Sequence, residues 1–170
     1  AFAETDIVCF ANPSRMPSVV VACPLNHVGR LMHFFDAIKA LVDEGREFMT
    51  VIMGSGREDR RLRKHLVSIG LSPSVTIVPV LNPWLSVLAA ADIFVQPQPS
   101  RSFSVFMLEA MALGAAVASC TGGVDNLIVP GKTAVTFDPA DGSSIRKALA
   151  QLLDDHALAR SVARSGQDHI

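Results

Sequence analysis

Charge is scarce in this chain. Only 18% of its 170 residues are Asp, Glu, Lys or Arg, against about 25% in an average soluble domain. The 15 basic and 16 acidic side chains nearly cancel, to a formal net charge of -1. No strong positive field surrounds such a chain, so nucleic acid is not expected as a partner. Cysteine is equally thin. Cys9, Cys23 and Cys120 form no close pair and no Cys-x-x-Cys motif, which argues against a zinc site or a dithiol redox centre. An odd count without a disulfide framework fits a reducing compartment and hence the cytoplasm. The five histidines are scattered and lack the His-x3-His spacing of a helical metal site, so neither metal nor cofactor is implied. The stretch 66–91 carries no charge, yet Gly70, Pro73, Pro79 and Pro83 interrupt it, and no continuous spanning helix survives that. The first residues have no basic segment, so no secretory signal is expected. They also lack an initiator methionine, which fits a processed product or a piece of something longer.

Apolar residues are plentiful instead, at 49%, enough for a sizeable core in a chain of one-domain length. Strand-like runs at 19–22, 48–53, 75–78, 93–96, 116–119 and 134–137 alternate with helix-like stretches at 33–44, 58–69, 83–90, 104–113, 141–153 and 157–166. In the first helix Phe34, Ala37, Ile38, Leu41 and Val42 form one stripe, at the spacing of a buried helix face. Asn82 is a candidate cap before Pro83, a residue suited to the first helical position. The strands are short and lack clean period-two alternation, as in a parallel sheet covered on both faces. This pattern predicts an α/β fold: a doubly wound, Rossmann-like parallel sheet of about six strands with helices on both faces. Residues 1–18 are expected to form a linker or an extra strand around 6–10, and 19–170 the Rossmann-like domain.

Ligands of such sheets bind at the carboxyl ends of the strands, where strand order switches. The loops at 23–30, 54–57, 79–82, 97–104 and 119–125 are therefore the ones to inspect. Gly54-Ser55-Gly56 fits either a tight strand-to-helix turn or a backbone approach to an anionic group at a helix start. It is no dinucleotide fingerprint, because the third glycine and the following acid are missing, and no Gly-x4-Gly-Lys-Ser/Thr loop exists. In 96–114 a strand runs into a Pro-rich loop, and Ser102 and Ser104 then open an apolar helix. The free amides at such a helix start suit an anion. Glu109 is the one charged side chain between Ser102 and Val124. A carboxylate on so apolar a helix needs a partner, either a pair of ligand hydroxyls or a group within the protein.

This stretch resembles the retaining glycosyltransferases of family 4, called glycosyl transferases group 1, which have the B-type glycosyltransferase fold. The matching residues are Phe103, Glu109-Ala110-Met111-Ala112, Gly114, Val117, Ala118-Ser119 and Gly122-Gly123. Met53-Gly54-Ser55-Gly56, Ala90-Ala91-Asp92-Ile93 and Pro130-Gly131-Lys132-Thr133-Ala134 match further family segments in order. The resemblance spans 19 to about 166 and implies the carboxyl-terminal, donor-binding half of such an enzyme. Its implied partner is a nucleotide diphosphate sugar, and its acceptor would bind a separate amino-terminal domain. The same resemblance leaves room for peripheral association of the full protein with the inner face of a membrane. It assigns Glu109 to the donor ribose hydroxyls and places the amides near Phe103, Ser104 and Val105 against the diphosphate or sugar. Gly54 belongs to the second loop of the site.

The departures bear on chemistry. Eight positions before Glu109, where the family has a glutamate, stands Arg101, and the neighbouring glycines are Ser102 and Ser104. Two cations that neutralise the diphosphate leaving group are replaced by Cys23 and Val28, beside Gly29. Arg30 and Arg101 are the candidate replacements. Two readings stay open: a divergent glycosyltransferase half, and a catalytically degenerate relative that acts as a binding or interaction module.

Overall fold

A computed structural model describes residues 16–80, 84–99, 104–122 and 126–170. The expected strand at 6–10 and the Asn82–Pro83 cap lie outside the described residues. Six strands form one sheet: β1 (Ser18–Ala22), β2 (Met49–Met53), β3 (Val75–Val78), β4 (Ile93–Gln96), β5 (Ala116–Cys120) and β6 (Val135–Phe137). Every pairing is parallel and the order is β3-β2-β1-β4-β5-β6. The chain winds outward in one direction from β1, then returns to β4 and winds the other way. The expected doubly wound fold is therefore the one observed.

The helices are α1 (Met32–Asp43), α2 (Asp59–Ser68), α3 (Leu85–Ala89), α4 (Val105–Ala112), α5 (Gly142–Asp154) and α6 (His156–His169). Val19 and Val21 of β1 face a core shared with Phe34, Phe35 and Ile38 of α1, Leu62 and Leu66 of α2, and Ile145 and Leu149 of α5. Val20 faces the other way, toward Leu88 of α3 and Met107, Ala110 and Met111 of α4. All five residues of β5 are buried. Central strands covered twice have no place for charge, and this accounts for much of its scarcity. The last helix starts one residue earlier than periodicity suggested. Asp155 ends α5 and caps α6, its carboxylate accepting the Leu158 N–H at 2.9 Å, which meets the unsatisfied amides of a new helix at once.

Two buried polar residues brace the frame. Asp92, 2% exposed, accepts the Ser18 N–H at 2.7 Å and so ties the start of β4 to the start of β1. Thr133, 1% exposed, donates its hydroxyl to the Leu127 carbonyl (2.6 Å) and accepts the Val129 N–H (2.8 Å). The turn it closes passes through Gly131 at φ +73°, a conformation that costs glycine least. The Gly-x-Thr of the sequence is thus a folded turn. Thr133→Val keeps the shape but removes both of these buried hydrogen bonds. Urea unfolding is expected to show a loss of about 1–3 kcal/mol.

Candidate functional site

Strands β1 and β2 do not stop pairing where they stop being strands. The Cys23 N–H donates to the Met53 carbonyl (3.2 Å) and the Leu25 N–H to the Ser55 carbonyl (3.1 Å). The Gly54 N–H in turn donates to the Val78 carbonyl at 2.9 Å. Three loops are thereby laced together at the carboxyl edge of the sheet. A Cβ on Gly54 would lie 1.9 Å from the Cys23 carbonyl oxygen, and one on Gly56 would lie 2.5 Å from the Leu25 carbonyl carbon. The Gly-x-Gly is needed because another loop of the same chain passes against it. Neither reading of this motif from sequence included that neighbour.

Between these loops and the start of α4 lies an open cleft of about 600 Å³, lined by Cys23, Gly54 and Ser55 on one side and Ser104, Val105 and Phe106 on the other. It sits beside the β1–β4 junction, the place where doubly wound sheets bind ligands. Three expected site residues, Gly54, Ser104 and Val105, are brought together there. Gly29 and Arg30 fall in a 3-10 turn, Val28–Leu31, and both are exposed; neither is part of the cleft wall. Arg101, Ser102 and Phe103 lie outside the described residues.

The electrostatics of the first loop differ from what its position invites. Val28 is fully buried, and its N–H donates to a Glu58 carboxylate oxygen at 2.7 Å. That bond holds the Glu58 carboxyl below its ordinary value of 4.5, with smaller help from Arg61, Arg57 and His27. The start of the 3-10 turn is therefore already served by an anion from α2's approach. A depressed carboxyl stabilises the fold above its unfolded value, and that stabilisation disappears as pH falls through the folded one. Glu58→Gln is accordingly expected to leave a shallower loss of thermal stability between neutral pH and about pH 3. Melting curves across that range check it. Cys23, which lines the cleft, has its thiol pushed up to about 12 by burial, so it is neutral and brings no charge.

The other wall is the N-terminus of α4. Ser104 caps it, its hydroxyl accepting the Met107 N–H at 3.3 Å, and its carbonyl takes the Leu108 N–H at 3.1 Å. The amides of Val105 and Phe106 precede the first intrahelical bond, and both residues line the cleft. The buried side of α4, Met107, Ala110 and Met111, grips the core, which leaves Glu109 half-buried on a flank. There its Oε2 accepts the indole N–H of Trp84 at 2.5 Å. Trp84 also meets the ring of Phe106 edge-on, with centroids 5.7 Å apart. Glu109 thus has a partner within the protein, one of the two options its sequence context allowed.

Trp84 and Glu58 were not among the expected site residues. A signal existed for each: Trp84 is the single tryptophan of the chain, in a stretch without charge, and Glu58 follows Gly56 by two residues. Among the described residues no group of three or more His, Cys, Asp or Glu could hold a metal ion, and no helix is long and apolar enough to cross a membrane.

Comparison with known proteins identifies a family and similar folds. A family model described as "Glycosyl transferases group 1" matches residues 17–155. A D-inositol 3-phosphate glycosyltransferase of Paenarthrobacter aurescens is 32% identical over 68% of this chain and 29% of its own length. The lipopolysaccharide core biosynthesis mannosyltransferase LpcC of Rhizobium leguminosarum is 29% identical over 97% of this chain and 52% of its own. The chain therefore spans about half the length, or less, of these curated relatives. Among solved structures, the C-terminal domain of the group 1 family protein LpcC from Francisella tularensis superposes with TM-score 0.78 at 20% identity, covering 98% of this chain and 91% of that one. Anabaena HepE in complex with UDP superposes with TM-score 0.80 at 16% identity, covering 98% of this chain and 48% of that one.

Proposed function

The chain belongs to the glycosyl transferases group 1 family, and on that footing we propose that it is the donor-binding half of a retaining glycosyltransferase, moving a sugar from a nucleotide diphosphate sugar to a glycan or lipid-linked acceptor. The observation that carries this reading is the cleft at the strand-order switch, with the capped start of α4 as one wall; Glu109 lies one turn further along that helix, beyond the residues that line the cleft. Helix-start amides suit a diphosphate. A carboxylate suits a ribose, whose neighbouring hydroxyls both donate. Solved relatives of like fold hold UDP or UDP-glucose, which supports a nucleotide sugar as the ligand here.

The acceptor then belongs to an amino-terminal domain outside this chain. We place the full protein in the cytoplasm, with peripheral attachment at the inner membrane face, in polysaccharide biosynthesis. Ser102, Phe103, Ser104 and Val105 would face the diphosphate and sugar, with Gly54 opposite. The leaving group needs positive charge. Arg30 and Arg101 would supply it in place of the cations that Cys23 and Val28 displace.

A second reading, a degenerate relative that binds without transferring, is favoured by one observation. Both displaced cation positions hold neutral groups, and the Val28 amide is engaged by Glu58. Calorimetry with UDP-, GDP- and ADP-sugars tests the first reading. Millimolar or tighter binding of one base class is expected. Absence of binding across the panel in the complete protein removes the enzymatic reading. Binding without transfer to any acceptor selects the second, and Arg101→Glu then asks whether restoring the family acid restores transfer.

A further inference from the structure

We propose that Trp84 is a positioning residue for Glu109, holding its carboxylate in the orientation that receives the donor ribose. This rests on the donor-site reading of Glu109 given above. The contacts define the device. Trp84 donates through Nε1 to Glu109 Oε2 at 2.5 Å and packs edge-on against Phe106 at 5.7 Å, and Phe106 is part of the cleft wall. One indole, at the residue that leads into α3, therefore touches both the carboxylate and a residue of the wall.

The chemistry of the partner matters. A carboxylate offers about four acceptor positions, and an indole N–H is a donor only. Trp84 uses one of these positions and leaves the rest for two ribose hydroxyls. Being neutral, it fixes the carboxylate without cancelling its charge, as an arginine or lysine would. It also removes rotamer freedom that a free glutamate loses only on binding, so less order has to be gained when the nucleotide arrives. A tryptophan held merely by packing would need no acceptor and would serve as well with Phe in its place.

The test uses calorimetry on the chain with UDP, GDP and ADP, and with the 2′,3′-dideoxy form of whichever binds. Glu109→Ala is measured first, and loss of the preference for the ribonucleotide is the result on which the donor-site reading stands. Trp84→Phe keeps the packing on Phe106 and removes the N–H. It is expected to weaken the ribonucleotide by about tenfold and to leave the dideoxy form within about twofold. If Trp84→Phe fails to fold, replacement of the one tryptophan by its benzothienyl isostere, which carries sulfur in place of the N–H and so cannot donate, is put to the same measurement. A ribose preference lost in Glu109→Ala but retained in the Trp84 variant overturns the positioning role and leaves the donor-site reading intact. A preference retained in both overturns the two together. Because Trp84 is the single tryptophan, its emission in the wild type should also change with the calorimetric Kd, and unchanged emission at saturating nucleotide contradicts the proposal.

Discussion

Gly54→Ala is expected to destabilise the chain by about 3 kcal/mol or more, a drop in melting temperature of about 6–12 °C for a domain of this size. The added methyl carbon would sit 1.9 Å from the Cys23 carbonyl oxygen, 3.1 Å from its carbonyl carbon and 3.6 Å from Leu25 Cγ. The closest of these is backbone and cannot swing aside. Nor can Gly54 itself retreat, because its N–H is bonded to the Val78 carbonyl. Relief requires parting β1's loop from β2's, which breaks the Cys23–Met53 and Leu25–Ser55 bonds. Gly56→Ala meets Leu25 backbone at 2.5 and 2.6 Å and the tip of the Asn26 side chain at 2.6 Å. It is expected to be costly too, though part of that clash is with a movable group. Gly29→Ala is the control, with nothing within 4 Å of the new carbon, and should be nearly neutral. Thermal and urea unfolding of the three variants decide it. A Gly54→Ala protein within about 1 kcal/mol of wild type would show that the loops are not packed as described.

Glu109→Ala carries the largest expected effect on function. A hydrogen bond to a charged group contributes about 1.5–3 kcal/mol, so losing the ribose acceptor should weaken nucleotide binding by about tenfold to a hundredfold. The fold should survive, because α4 is held by Met107, Ala110 and Met111 on its other side. Glu109→Gln is expected to fall between, since its amide carbonyl can still receive the Trp84 N–H but brings no charge. Calorimetry reads the affinity and circular dichroism the fold. Unchanged affinity in Glu109→Ala means that the carboxylate has no part in binding.

Much of the architecture was readable from local pattern. β3 and β4 span the residues their apolar runs suggested, and the other strands differ by a residue or so, because short β-branched runs between turn signals leave little choice. The parallel pairing followed from the alternation, and six such strands matched the doubly wound order that is observed. The site was less readable, for physical reasons. Gly54 looked like a turn or a phosphate approach because the group that needs the space, the Cys23 carbonyl, is thirty-one positions away. The partner of Glu109 is likewise twenty-five residues off. Periodicity reports which face of a helix is buried. It does not report which side chain of another element meets its flank. The expectation that Arg30 replaces a missing cation came from position along the chain alone. The structure adds that Arg30 is exposed, in a turn whose first amide Glu58 already serves.

The central claim is that the cleft between the β1 and β2 loops and the start of α4 is where a nucleoside diphosphate binds. Amide chemical-shift mapping of the isotopically labelled chain during titration with UDP, GDP and ADP tests it most directly. The largest shifts are expected at Ser55, Ser104, Val105, Phe106 and Glu109, with the indole N–H of Trp84 moving alongside them. Shifts clustered instead on the apolar groove of Met16, Val20, Val51 and Val78, or none at saturating nucleotide, would contradict it.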